Sequence, residues 1–339
     1  MRAVVLGVGA VGSRAARQLA TPAAPGSGCG EFSEIVVCDR LPGRADVVAG
    51  SIGAPSVAAD WHPRLLDQTD VLVVGAPGVN ATLDVIETAL GSGIPVVSVA
   101  DGMADVEALL GFDGTARANE TWLVIGAGMA PGLSDVLARH AACGFESVDE
   151  VHVAKAGTAG PACARQHHNA LGAEAVDWRD GAWVRRPGGS GRELCWFPDP
   201  VGGQDCYRAH LPDALLLAPA FPGANRITAR VAATRRDRFT SALPMLRRPH
   251  PEGGLGAVRV EIRGTRMGAR DVHVLGAIDR PGVAAGAVAA VAARWALAGR
   301  LRRHGAAGLG ELVVDPGLFL AELSRRGVKA AAFEGSNKG

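Results

Sequence analysis

Arg2-Ala-Val-Val-Leu6, then Gly7-Val-Gly-Ala-Val-Gly12, then Ser13-Arg-Ala-Ala-Arg-Gln-Leu-Ala20: this opening stretch decides the fold. The first segment is apolar and rich in β-branched valine, the last has helical composition, and the turn between them spells G-x-G-x-x-G. Strand, glycine turn and helix in that order form a dinucleotide-binding fingerprint. Gly7 supplies the tight turn, Gly9 lets a pyrophosphate approach the backbone, and Gly12 lets helix and strand pack closely. Ala10 and Val11 complete the phosphate-binding turn. The helix opens with unpaired N–H groups and a positive dipole end aimed at the phosphates.

Outward from that stretch, composition narrows the class. A chain of 339 residues suggests two domains, and its 48% apolar share is ample for a core. Aromatic residues make up only 4%, with a single tyrosine, Tyr207, so Ala, Gly and Val dominate, as suits parallel sheets covered by close-packed helices. Lys plus Arg (35) nearly balances Asp plus Glu (34), which argues against nucleic acid or an acidic membrane as partner. Cysteines at 29, 38, 143, 163, 195 and 206 form no C-x-x-C pair, so neither a disulfide framework nor a metal site is expected. With the first strand starting at the first residues, no signal peptide is expected either, and the reading is a cytoplasmic protein with reduced thiols. Val283–Ala298, mostly alanine but carrying Arg294, is too short and weakly apolar to span a bilayer. It reads as a buried helix whose small side chains permit close packing, for instance at a subunit interface.

After the Pro/Gly/Ser loop Thr21–Gly30, Glu34–Cys38 reads as the second strand and ends at Asp39. An acidic residue there binds the adenosine ribose hydroxyls, and its charge favours NAD over NADP. Arg40 beside it offers a guanidinium for adenine or for a 2′-phosphate. The alternation continues through Ser56–Ala59, Asp70–Val74, Ile94–Val99 and Thr121–Ile125, with Asn80 as the N-cap of a helix running to Leu90. Strands alternating with helices predict an α/β, doubly wound parallel sheet of Rossmann type. Ligands bind beyond the carboxyl ends of such strands. That brings Gly7–Gly12, Asp39, Gly75-Ala76-Pro77, Val99-Ala100-Asp101 and Gly126–Gly132 to one rim.

The glycine fingerprint, Asn80 after the fourth-strand turn, Ser98-Val-Ala-Asp101 and Gly126-Ala-Gly-Met-Ala-Pro131-Gly132-Leu-Ser-Asp135 together resemble the saccharopine dehydrogenase-like superfamily. The similarity covers about the first 145 residues well and is looser beyond, where Arg192-Glu-Leu-Cys-Trp-Phe-Pro-Asp199-Pro fits the same plan. It implies hydride transfer between a nicotinamide and a carbon bonded to nitrogen, as in saccharopine reductases, lysine 6-dehydrogenase and carboxynorspermidine dehydrogenase. Ala130 and Val136 depart from the saccharopine-forming pattern, which points toward lysine 6-dehydrogenase-like members.

Val148–Ala154 restarts strand-like alternation and leads to Lys155, and Ala162–Asp177 reads as a helix with Pro161 near its start. That helix places Arg165, His167 and His168 within one turn. Adjacent helical residues point about 100° apart, so at most one histidine aims squarely at a given point. Gly188–Gly191 reads as a lid or a hairpin turn, and the aromatic and polar run from Glu193 to Tyr207 as a pocket lining or a local core. Ile227–Ala233, Ala257–Arg263 and Asp271–Ile278 suggest a mainly antiparallel sheet in an α+β substrate domain. Arg235–Arg238 and Arg247–His250 are basic turns, Pro316–Arg326 a last helix, Val328–Phe333 a terminal strand, and the final Gly335–Gly339 should fray.

The expected organisation is 1–145 for NAD(P), 146–280 for substrate and dimerisation, and 281–339 returning to the first domain. The expected activity is that of an NAD(P)-dependent oxidoreductase acting on a small amino acid, imine or amine, assembled as a homodimer. His167, His168, Lys155 and Asp101 are the proton-transfer candidates. Met129, Pro131 and Gly132 form the cleft floor, and Arg165, Arg192 and Tyr207 are the substrate-binding candidates. A polyamine-type condensing reductase is the alternative enzyme, and a catalytically inactive dinucleotide sensor is the non-enzyme alternative.

Overall fold

The computed structural model describes residues 1–23, 28–76, 78–245 and 248–333. The first six strands are β1 (Arg2–Leu6), β2 (Glu34–Cys38), β3 (Ser56–Ala58), β4 (Val71–Val74), β5 (Val96–Ser98) and β6 (Trp122–Ile125). They are joined much later in the chain by β15 (Gly305–Gly308), giving a seven-stranded, wholly parallel sheet in the order β15-β6-β5-β4-β1-β2-β3. In β4 and the centre of β1 every side chain is buried, because helices cover both faces. The order reverses between β1 and β4, whose ends are Gly7 and Gly75, and that reversal opens the crevice where ligands bind in such sheets.

The second sheet is built from β7 (Ser147–Ala156), the hairpin β8 (Ala175–Arg179) and β9 (Ala182–Arg186), then β10 (Glu193–Trp196), β11 (Gly203–Arg208), β12 (Arg226–Ala232), β13 (Gly256–Arg266), β14 (Ala269–Asp279) and β16 (Lys329–Phe333). Its order is β10-β11-β12-β7-β13-β14-β16, with the hairpin attached through β8 to β12. All pairings are antiparallel except β12 with β7, so the sheet is mixed but mainly antiparallel. Lys155 on β7 sits in register with Val231 on β12, which in turn faces Tyr207 on β11, so these three residues share one face.

Three elements differ from the sequence reading. The helix expected over 162–177 is Pro161–Gly172, and Ala175–Asp177 already belongs to β8, where it pairs with β9. Asn80 lies in a short 3-10 turn, Val79–Ala81, and the helix begins at Leu83 with Thr82 in the N-cap position. Arg235–Arg238, read as a basic turn, lies in a short helix, Arg235–Thr240, that opens with a capping box between Thr234 and Asp237. Arg247 and the last five residues lie outside the described residues.

The alanine-rich segment is the helix Pro281–Leu297, buried on nearly every side. Its small face is used within the chain: a Cβ on Gly286 would lie 2.5 Å from the Cβ of Arg14 on the fingerprint helix Gly12–Ala20. Arg294 is 1% exposed, and its guanidinium donates to the carbonyls of Leu19 (3.0 Å), Thr21 (2.8 Å) and Gly30 (2.6 Å). One cation thus satisfies the carbonyls left over where the fingerprint helix ends. No helix among the described residues is long and apolar enough to cross a membrane.

Candidate functional site

The glycine turn is closed by steric contact at two of its three glycines and open at the third. A Cβ on Gly7 would meet the backbone of Ala76 at 2.6 Å, and one on Gly12 would meet the Gly7 carbonyl oxygen at 1.9 Å. A Cβ on Gly75 would lie 2.6 Å from the same oxygen, so the ends of β1 and β4 and the start of the fingerprint helix are packed backbone to backbone. A Cβ on Gly9, by contrast, would meet nothing within 4 Å. The helix that follows has Val11 at its N-cap with no side-chain cap bond, and its Ser13 N–H donates to the Gly9 carbonyl at 3.1 Å. Ala10 touches the second half of the chain, since a Cβ on Gly160 would lie 2.7 Å from the Ala10 Cβ. Arg14 reaches across in the same direction to Glu252 at 2.9 Å.

At the end of β2, Asp39 accepts the N–H of Val8 through Oδ2 and that of Leu41 through Oδ1, both at 2.9 Å. Arg44 lies 3.8 Å from its Oδ2, and Arg40 is exposed beside it. Val99 and Ala100 follow β5 on the same rim, partly exposed, and Ala76 follows β4. Pro77 falls outside the described residues.

Beyond β6 the chain makes the turn Gly126–Gly132. Gly132 has φ +118, and a Cβ there would sit 2.4 Å from the Gly128 carbonyl oxygen, so only glycine fits. Met129 and Pro131 are enclosed within this turn, and the Ala130 carbonyl points at the second sheet, where the Lys155 ammonium donates to it at 2.8 Å. The same ammonium lies 3.4 Å from Asp213 Oδ2. Asp213, at the start of the short helix Asp213–Leu217, is fully buried, and so is Asp135 on the helix Leu133–Ala141. Asp135 accepts a bond from Ser134 at 3.1 Å, but its Oδ2 has no hydrogen-bond partner among the described residues, and neither has Asp213 Oδ1. Burial, followed by repulsion from Asp213, pushes the Asp135 carboxyl up to about 8.

That shift has a direct consequence for stability. The folded state holds the Asp135 proton more tightly than the unfolded chain, so this group's contribution is greatest at acid pH and is lost as pH rises toward about 8. Asp135→Asn keeps the shape and removes the charge. We expect it to stabilise the protein by about 1–3 kcal/mol more at about pH 8.5 than at about pH 5.5, read from urea midpoints at both. An equal effect at the two pH values would show that Asp135 is ionised throughout.

The remaining polar side chains gather where β5 ends and the helix Pro161–Gly172 passes over it. The thiol of Cys163 donates to Asp101 Oδ2 at 3.1 Å. His167, one turn further along that helix, places Nε2 3.7 Å from Cys163 Sγ and 3.7 Å from Asp101 Oδ2. Burial raises the Asp101 carboxyl, an effect the Lys155 charge partly offsets. Burial, reinforced by that same charge, holds His167 neutral, and burial together with Asp101 keeps Cys163 a thiol. The arrangement can hold a proton, pass it between a carboxyl and a thiol, and keep imidazole as a neutral acceptor beside them.

Of the residues singled out from sequence, the structure therefore brings Asp101, Lys155, His167 and the Met129–Gly132 turn together. His168 is turned away, with Nε2 2.9 Å from the Leu243 carbonyl oxygen. Arg165 is exposed on the helix, and Arg192 is exposed and paired with Asp205 at 2.9 Å. Tyr207 is fully buried against Ala170, Leu171 and Val231. Sequence reasoning missed Cys163 and Asp213. Cys163 carried a usable signal, since it stands four residues before His167 and so shares its helix face. Asp213 carried none.

No protein-family profile and no curated protein matches this chain. Solved structures do. Apo saccharopine dehydrogenase (L-Glu forming) from Saccharomyces cerevisiae aligns over 98% of this chain and 99% of its own, at 14% identity and a TM-score of 0.69. An amine dehydrogenase from Mycobacterium smegmatis aligns over 93% and 98%, at 14% identity and a TM-score of 0.53. DAP dehydrogenase of C. glutamicum, solved with DAP, aligns over 96% and 98%, at 14% identity and a TM-score of 0.50. The fold of the whole chain is that of these dehydrogenases: a Rossmann-type parallel sheet followed by a mainly antiparallel one.

Proposed function

We propose that this protein is an NAD(P)-dependent oxidoreductase that moves a hydride to or from a carbon bonded to nitrogen in a small amino acid, imine or amine. One observation carries the reading: the glycine turn, with open space beside Gly9, and the Asp101–Cys163–His167 cluster follow β1 and β5, neighbouring ends of one parallel sheet. The bound nicotinamide supplies the hydride chemistry. The turn Gly126–Gly132, held by Lys155, forms the floor of the cleft. Asp101 and Cys163 exchange a proton with the substrate nitrogen, and His167 keeps that pair in place. The likeness to amino-acid and amine dehydrogenases supports the same chemistry. The test is loss of NADH or NADPH fluorescence on addition of a keto acid together with an amine. No turnover across a broad panel of such pairs, with cofactor bound, overturns the enzyme reading.

NAD is the proposed cofactor, because the Asp39 carboxylate at the end of β2 repels a 2′-phosphate. NADP is the second reading, favoured by Arg44 at 3.8 Å from that carboxylate. If Asp39 sets the choice, Asp39→Asn shifts the ratio of NADP to NAD affinity by about tenfold toward NADP, the equivalent of about 1.4 kcal/mol. An unchanged ratio in competition binding assigns the choice elsewhere.

A polyamine-type condensing reductase is supported by two features: the charged group at the cluster is a carboxylate, Asp101, rather than a guanidinium, and Arg192 is engaged by Asp205. A homodimer belongs to the same proposal, supported by Leu194 and Trp196, exposed on the edge strand β10. A cytoplasmic setting is in keeping with six free cysteines.

A further inference from the structure

We propose that Asp101, Cys163 and His167 form a binding site for a zinc-type divalent ion. The three side chains offer one donor atom each, a carboxylate oxygen, a thiol sulfur and an imidazole nitrogen, all within 4.8 Å of one another. The separations are what decide the matter. Metal–ligand bonds of about 2.0–2.3 Å at tetrahedral angles place donor atoms about 3.3–3.6 Å apart. Here the three edges are 3.1, 3.7 and 3.7 Å, so an ion fits at their centre with side-chain movements of a few tenths of an ångström.

The donor set is also chemically specific. Sulfur and imidazole nitrogen select zinc and its neighbours over magnesium or calcium, which take oxygen ligands. Cys163 and His167 stand four residues apart on one helix, so their donors project from consecutive turns of a single rigid element. Asp101 comes from the rim of the parallel sheet, on the other side of the cleft. An ion held by all three therefore ties the two halves of the molecule together at the place where substrate would sit. Three protein ligands leave a fourth position, and the Asp101 side chain is 25% exposed, so water or a substrate nitrogen or oxygen can reach it. On binding, the Cys163 proton leaves to solvent and the thiolate takes its place at the metal.

The claim concerns binding alone: an ion at this place takes the donor atoms that the hydride-transfer reading uses for proton exchange, so the two describe separate states of the same three side chains. Its test uses the full chain, stripped with a chelator and titrated with Co²⁺ as a spectroscopic stand-in for zinc. The expected result is one equivalent bound, a thiolate-to-cobalt charge-transfer band, tetrahedral d–d absorption, and displacement of both signals by Zn²⁺. Cys163→Ser and His167→Ala should each weaken binding by more than the about 10–100-fold that loss of an outer-shell partner costs. His168→Ala and Cys143→Ser, neighbouring or exposed but outside the cluster, should bind as wild type does. Wild-type protein that binds no Co²⁺, or binds it without the thiolate band, overturns the proposal whatever the variants do. Undiminished binding by Cys163→Ser and His167→Ala overturns it as well. Absence of turnover with any substrate leaves these readouts intact.

Discussion

Gly9→Ala is expected to fold as the wild type does and to bind dinucleotide at least about 100-fold more weakly, the equivalent of about 2.8 kcal/mol. Gly12→Ala should lose both binding and stability. The two glycines share one motif, but their surroundings differ. A methyl group on Gly9 meets nothing within 4 Å, so only the incoming pyrophosphate would feel it. A methyl group on Gly12 lies 1.9 Å from the Gly7 carbonyl oxygen, a backbone atom already packed against Gly75. Relieving that overlap would force the fingerprint helix away from β1 and from the helix Pro281–Leu297 behind it. Circular dichroism and urea midpoints should place Gly9→Ala beside the wild type and Gly12→Ala well below both. Equal stability for the two variants would mean that the helix does not pack against the turn as described.

Lys155→Met should destabilise the fold by about 3–5 kcal/mol, the usual result of stranding a buried charge. Lys155 is 4% exposed, Asp213 and Asp135 are fully buried, and the ammonium is the cation that meets both Asp213 Oδ2 and the Ala130 carbonyl. Without it, the Asp213 carboxylate is left in an apolar setting and the Gly126–Gly132 turn loses its tie to β7. The double variant Lys155→Met/Asp213→Asn removes the stranded charge and should recover a large part of the loss, as a double-mutant cycle in urea would read out. A single variant with wild-type stability would contradict the placement of this ion pair.

The parallel sheet was legible because its strands are buried on both faces and so read as unbroken apolar runs: Arg2–Leu6 and Glu34–Cys38 match their strands residue for residue. Gly305–Gly308 escaped notice for the complementary reason. Gly-Ala-Ala-Gly has no β-branched side chain, and its strand state comes from pairing with β6, a contact far away in sequence. Ala175–Asp177, read as the end of a helix, is strand through the hairpin with β9, and β12 joins only at Trp178 and Arg179. At the site, the glycine turn and Asp101 were readable because strand ends in such sheets converge. The helix angle of about 100° per residue required that at most one of His167 and His168 aim at the cleft. Only tertiary structure could choose between them, since the choice depends on Leu243 meeting His168 and Asp101 meeting His167. Asp213 enters the cluster through the packing of a short helix against β12 and β15, and no local pattern encodes that.

The central claim is that the rim around Gly9 holds a nicotinamide dinucleotide. Its most direct measurement is a fluorescence titration with NADH and with NADPH, run on the wild type and on Gly9→Ala side by side. The wild type should bind one dinucleotide per chain saturably, and a Gly9→Ala variant of unchanged unfolding midpoint should bind none at the same concentrations. No binding of either dinucleotide by the wild type, or equal binding by the two proteins, would contradict it.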